Sequence, residues 1–146
     1  MDNFAKRSPL LHEETTGAIL ACAFDVINER GAGFLESVYE KALYLALQQK
    51  GHEVVAQRPI DVLFRGHLVG SFYTDLLVDQ RVMVEIKAIR SLAPEHMAQV
   101  INYLKATGIE VGLLINFGSP RLEYKRLTRQ ASLDPPAGSQ NGDTPT

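Results

Sequence analysis

Three residues have the types and spacing for hydrolytic chemistry: Asp75, and the pair Glu85 and Lys87 in an E-x-K arrangement. Asp75 falls near the end of a strand expected over residues 68–78, and Glu85 and Lys87 fall in a strand expected over 82–88. Side chains alternate faces along a strand, so the register of the hairpin decides whether the acids meet. With a three-residue loop, Asp79–Arg81, Val78 faces Val82 and Asp75 faces Glu85. Tyr73, Asp75, Leu77, Met83, Glu85 and Lys87 then share one face. Thr74, Leu76, Val78, Val82, Val84 and Ile86 share the other, which is almost wholly apolar. A two-residue loop would separate the two acids. The three-residue loop is adopted because it groups the polar residues.

Opposed carboxylates repel, and a cation between them relieves the repulsion. Oxygen ligands of this kind suit Mg²⁺ or Mn²⁺. Lys87 stands one pleat beyond Glu85, about 6–7 Å along the strand at standard rise. An ammonium there could hold an attacking water or steady the negative charge that develops on a phosphate. Spacing alone also fits a surface ion pair between Glu85 and Lys87. Against that stands the context: the charges interrupt an apolar strand, where burial is costly without partners or a metal.

Two helices add candidates. In the helix expected over about 94–106, Pro94 suits the first turn and Gly108 closes the element. His96, Gln99 and Tyr103 lie along one stripe, while Met97, Val100, Ile101 and Leu104 cover the packing side. Gln99 could bind a phosphate or a metal-bound water, and Tyr103 could orient a carboxylate or stack on a base. A half-buried polar rim would have the same spacing. In the helix expected over about 35–50, Glu36 could supply a further carboxylate, with Tyr39 and Glu40 three and four residues on. The plainer reading of Glu36 is an exposed acid favoured by the helix dipole, with Gly33 as loop punctuation.

These residues need a scaffold, and the patterning supplies one. Thr15 or Thr16 is expected to cap a first helix reaching Arg30, with an apolar stripe of Ile19, Leu20, Ala23, Phe24, Val26 and Ile27 and a stop at Gly31. Residues 53–65 are rich in β-formers, with Pro59 marking an edge or bulge. Residues 110–117 form a continuous apolar run, as in a strand buried on both faces. A last short strand is expected over 122–127. The order is α-α-β-β-β-α-β-(β), an α/β (α+β) class with a mixed central sheet. If the strands joined by the third helix are parallel, that crossover should be right-handed. The expected divisions are a flexible lead-in over 1–12, one domain over 13–130, and a disordered Pro-, Gly-, Ser-, Asp- and Thr-rich tail over 131–146.

The chain length suits one domain with one core. No apolar run approaches the ~20 residues of a membrane span, and the first residues, M-D-N-F-A-K-R-S-P, contain no apolar signal region. Cys22 is the sole cysteine, set among apolar neighbours, and reads as a buried thiol. A cytoplasmic protein is the expectation. The net charge of −2 gives no global basic signature for nucleic acid. The charge is uneven, though. Residues 1–86 carry 8 Lys/Arg against 12 Asp/Glu, and residues 87–130 carry 7 against 3, which leaves room for a local basic surface in the C-terminal half.

The segment G-F-L-E-S-V-Y, Gly33 to Tyr39, resembles the defining motif of the GxxExxY protein family, which is assigned to the PD-(D/E)XK nuclease superfamily. The resemblance continues through G-S-F-Y-T-D-L-L-V, V-E-I-K-A, H-M-A-Q-V-I-N-Y-L-K-A-T-G and G-L-L-I-N-F-G, covering roughly Thr15 to Arg126. It implies a restriction-endonuclease-like core in which Asp75 and Glu85 hold the metal, the carbonyl of Ile86 completes its shell, and Lys87 lies beside the attacking water. Gln99 and Tyr103 resemble the helix motif of exonucleases associated with helicases, and Glu36 resembles an extra metal-binding acid. One position departs from the superfamily pattern: Thr74 stands where proline would precede the aspartate. The implied activity is Mg²⁺- or Mn²⁺-dependent hydrolysis of DNA or RNA. The alternative is a catalytically silent module that binds nucleic acid or a protein partner. A homodimer is left open.

Overall fold

A computed structural model describes residues 10–130. Most of the expected lead-in and the whole expected tail, 131–146, lie outside the described residues. The elements run α1 (Glu13–Arg30), α2 (Glu36–Gln49), β1 (Val54–Phe64), β2 (His67–Val78), β3 (Val82–Lys87), α3 (Pro94–Thr107), β4 (Val111–Asn116) and β5 (Glu123–Thr128). This is the expected order, with the last strand formed.

The helices follow their apolar stripes. In α1, Ile19, Cys22, Ala23 and Val26 are buried at spacings of three and four. Its start differs from expectation. Thr15 and Thr16 lie buried inside the helix, and the chain enters through His12 in a left-handed conformation. Glu13 accepts a hydrogen bond from the N–H of Leu10 at 2.9 Å, so an acid from the first turn fixes the entry instead of a threonine. In α2, Tyr39, Leu43 and Leu47 repeat every four residues and are fully buried.

The sheet order is β1-β2-β3-β4-β5. β1, β2 and β3 form an antiparallel meander, α3 carries the chain to β4 parallel to β3, and β5 returns antiparallel. β1 is an edge strand, which is where its Pro59 can be accommodated. β4 is buried along its whole length. On one face Val82, Val84, Ile86, Val111, Leu113 and Ile115 pack against α1 and α2. On the other, Met83 and Leu114 pack against Val100 and Leu104 of α3. Burial on both sides explains the uninterrupted apolar run in β4.

Within the Gly33–Tyr39 segment, two of the three motif residues are architectural. Gly33 has φ 112°, a conformation that disfavours any side chain. Tyr39 is buried and stacks on Phe117 with ring centroids 4.7 Å apart. Its hydroxyl donates to the Gly31 carbonyl at 2.6 Å and accepts from the N–H of Phe34 at 3.1 Å, pinning the α1–α2 loop. Tyr39→Phe is expected to keep the stack, lose both loop bonds and reduce stability by about 1–3 kcal/mol in chemical denaturation. An unchanged unfolding midpoint would show that the loop does not depend on this hydroxyl.

Candidate active site at the fork between β2 and β3

The β2–β3 ladder begins at the turn, with Val78 opposite Val82, and continues through Leu77–Met83 and Leu76–Val84. The three-residue loop therefore sets the register that would bring Asp75 opposite Glu85. There the ladder stops, because β2 continues with β1 alone, as far as Phe64 opposite His67. Backbone groups left open at the fork are taken up by the two acids. The N–H of Ile86 donates to Asp75 Oδ2 at 2.7 Å. The N–H of Asp75 donates to Glu85 Oε2 at 3.2 Å. The Thr74 hydroxyl also donates to Glu85 Oε2, at 2.6 Å. One oxygen of each carboxylate is thus anchored, and Asp75 Oδ1 and Glu85 Oε1 have no donor among the described residues.

Burial makes this pair electrostatically tense. Glu85 is 7% exposed, and its pKa is pushed up to about 8, chiefly by burial and then by the charge of Asp75. Asp75 is raised to about 6, again chiefly by burial, with Glu40 and then Glu36 adding negative charge from α2. Lys87 opposes both shifts, but it makes no ion pair with either acid among the described residues. The simple Glu85–Lys87 ion pair is therefore not formed. A buried and a half-buried acid, each with one anchored oxygen and one without a donor among the described residues, fit a divalent cation by charge and by ligand type. Among the described residues no group of three or more His, Cys, Asp or Glu side chains is gathered for a metal, so any further ligand has to be a backbone carbonyl, water, substrate or a side chain that moves.

The other candidates fall at different distances from the fork. Tyr103 lies in the field of both acids: its hydroxyl pKa is raised by burial, then by Glu85 and Asp75. Gln99, one turn earlier, is exposed. His96 serves the start of its own helix: its Nδ1 accepts from the N–H of Ala93 at 2.9 Å. Glu36 is exposed at the start of α2. The acid on α2 that acts more strongly on Asp75 is Glu40, held by Gln57 Nε2 at 2.7 Å. Ile86 is buried in β3, paired with Ile115, and its N–H is used by Asp75.

Three contributors are absent from the expected site residues. Thr74 was placed on the apolar face, and its hydroxyl instead turns to Glu85 within the fork. Glu40 was noted only for its spacing from Glu36. Asn116 is fully buried at the end of β4 and straps down the chain just after Lys87. Its side chain accepts from the N–H of Ile89 at 2.9 Å and donates to the Ile89 carbonyl at 2.9 Å, while the N–H of Phe117 donates to the Lys87 carbonyl at 2.8 Å. A Cβ at Gly118 would collide with the backbone of Ala88 and Ile89, so glycine is required for this close approach. A polar residue ending a wholly apolar run was the available signal for Asn116.

Comparison with known proteins adds the following. A family model described as the PD-(D/E)XK nuclease superfamily matches residues 13–127. Among solved structures, the crystal structure of SSO0001 is similar at 16% identity and a TM-score of 0.53, over 66% of this chain and 50% of that one. An alkaline exonuclease from Laribacter hongkongensis is similar at 18% identity and a TM-score of 0.48, over 64% of this chain and 55% of that one. The chain thus spans about half the length of these structures. No curated protein matches. The mixed five-stranded sheet with its three helices has the architecture of the matched superfamily.

Both carboxyls hold their proton more tightly in the folded chain than in the unfolded one. Folding then takes up protons, and the stability that these groups contribute is lost as pH rises through about 6 for Asp75 and about 8 for Glu85. In EDTA the melting temperature is expected to fall between about pH 5 and about pH 8.5. Glu85→Gln should flatten the upper part of that fall. A slope identical in the variant would exclude Glu85 as its source.

Proposed function

This chain belongs to the PD-(D/E)XK nuclease superfamily, and on that premise we propose that it hydrolyses phosphodiester bonds of DNA or RNA with a divalent cation, Mg²⁺ or Mn²⁺. Within the superfamily we assign it to the GxxExxY group, on Gly33, Glu36 and Tyr39, and take residues 13–130 as the working domain. The observation that carries the reading is the pairing of Asp75 and Glu85 across the fork, each with one oxygen anchored and its pKa raised.

Asp75, Glu85, the Ile86 carbonyl and Glu36 are the groups to hold the cation, which supplies positive charge against the scissile phosphate and makes a neighbouring water more acidic. The chain's own residues do the rest. The anchoring bonds from Ile86, Asp75 and Thr74 fix the carboxylates before substrate arrives, so no reorganisation is needed during reaction. Lys87, at the end of β3, donates hydrogen bonds to the attacking water and to a non-bridging phosphate oxygen. Tyr103, kept protonated by its surroundings, donates to the carboxylate pair, and Gln99 meets the phosphate from the solvent side. The water oxygen forms the new bond to phosphorus as its proton passes to solvent, the bond to the leaving sugar oxygen breaks, and that oxygen takes up a proton from solvent.

The test is a cleavage panel of single- and double-stranded DNA and RNA with Mg²⁺ or Mn²⁺. Lys87→Ala is expected to lower cleavage by about 10²–10³-fold without changing the circular dichroism spectrum. Calorimetry should show Mn²⁺ binding that Glu85→Ala abolishes. Cleavage by Lys87→Ala at the wild-type rate would remove the lysine from the mechanism. Absence of both cleavage and Mn²⁺ binding in the wild-type chain would favour a nuclease fold used only for binding.

A further inference from the structure

Between the β1–β2 hairpin and α3 lies a cleft of about 640 Å³. Val62 and Phe72 line it from the hairpin, and Ala98, Gln99, Asn102 and Tyr103 line it from the helix. We propose that this cleft seats one unpaired nucleobase of the nucleic-acid substrate next to the bond to be cut. The inference rests on the hydrolytic reading of Asp75 and Glu85 and names the strand state of the substrate.

The chemistry of the walls selects this occupant. Phe72 and Tyr103 sit with ring centroids 5.4 Å apart at an interplanar angle of 37°, so they form an angled aromatic corner. Phe72 remains 42% exposed there, an apolar ring left partly open to solvent. An aromatic surface of this kind takes the flat face of any base. Asn102 offers an amide donor and an amide acceptor, the complement of a base edge. The charged residues at the lining are one acid, Glu95, and one base, Lys105, so the cleft favours a neutral group over a phosphate. Tyr103 packs against the cluster that contains Met83 and Leu114, and Glu85 lies opposite Leu114 in the β3–β4 pairing, so the cleft and Glu85 share the α3 side of the sheet. A nucleotide whose base rests on Phe72 and Tyr103 therefore has its phosphate led toward the fork.

The hairpin is shaped to keep the ring in place. A Cβ at Gly70 would come within 3.2 Å of the Phe72 ring, so glycine leaves the notch over which the ring lies. A base within a duplex has its faces stacked and its edge paired, and reaches such a corner only at the cost of leaving the stack. The seat consequently selects a single strand or a frayed end.

The experiment measures binding of the full chain in EDTA to a short fluorescein-labelled oligodeoxynucleotide, to its duplex, and to a set carrying one abasic position each. The single strand is expected to bind more tightly than the duplex, and one or two abasic positions should weaken binding by about tenfold. Phe72→Leu, which keeps an apolar side chain but loses the aromatic face, should weaken single-strand binding to a similar degree and flatten the abasic scan. Asn102→Ala should reduce the preference among bases at the sensitive position. A flat abasic scan with wild-type protein, wild-type affinity in Phe72→Leu, or no single-strand binding would each overturn the seat. Mn²⁺ calorimetry on the same samples separates the two readings. Missing Mn²⁺ binding in the wild-type chain counts against the hydrolytic reading, while a position sensitive to base removal in that protein would still support the seat.

Discussion

The site depends on a fork: β2 pairs with β3 for a few residues next to their turn and then continues with β1 alone. A continuous ladder would bond the backbone groups of residues 75 and 86 to neighbouring strands and leave the acids on the sheet face. The fork instead exposes those N–H groups, and buried donors must find acceptors. Asp75 and Glu85 provide them. The same bonds that satisfy the backbone hold two carboxylates close together in a mostly buried position, which would be strongly unfavourable without compensation.

Much of the remaining structure supports this arrangement. α1 and α2 cover the apolar face of β3 and β4, so β3 cannot relax away from its neighbours. α3 covers the other face and packs Tyr103 against the cluster of Met83 and Leu114. Asn116, Gly118 and the N–H of Phe117 fasten the chain immediately after Lys87, which fixes where the strand carrying the lysine ends. Tyr39 locks the loop before α2, the helix whose acids Glu36 and Glu40 bear on Asp75. The raised proton affinities of the pair follow from this packing: it excludes water and keeps two like charges near each other. Stability is given up locally in exchange for a fixed arrangement of two carboxylates.

The reading from sequence succeeded where local rules control structure. Apolar repeats every three or four residues located α1, α2 and α3, and the loop length between β2 and β3 set the register on which the pairing of Asp75 with Glu85 depends. It went astray where contacts between distant segments decide. Thr15 and Thr16 have the chemistry of caps, yet the interior of α1 buries them. Thr74 is expected on the apolar face, yet its hydroxyl donates to Glu85.

Sequence by itself determined the order of elements, the family motifs and the candidate acids and lysine, because periodicity and turn length act between near neighbours in the chain. Only the tertiary structure decided that β2 would leave β3 at Asp75, that Thr74 would turn toward Glu85, that Glu40 would outweigh Glu36 in its effect on Asp75, and that Phe72 and Tyr103 would form one corner. Each of these depends on which segments share a boundary after packing. Such contacts join residues far apart in the chain, and no local period encodes them.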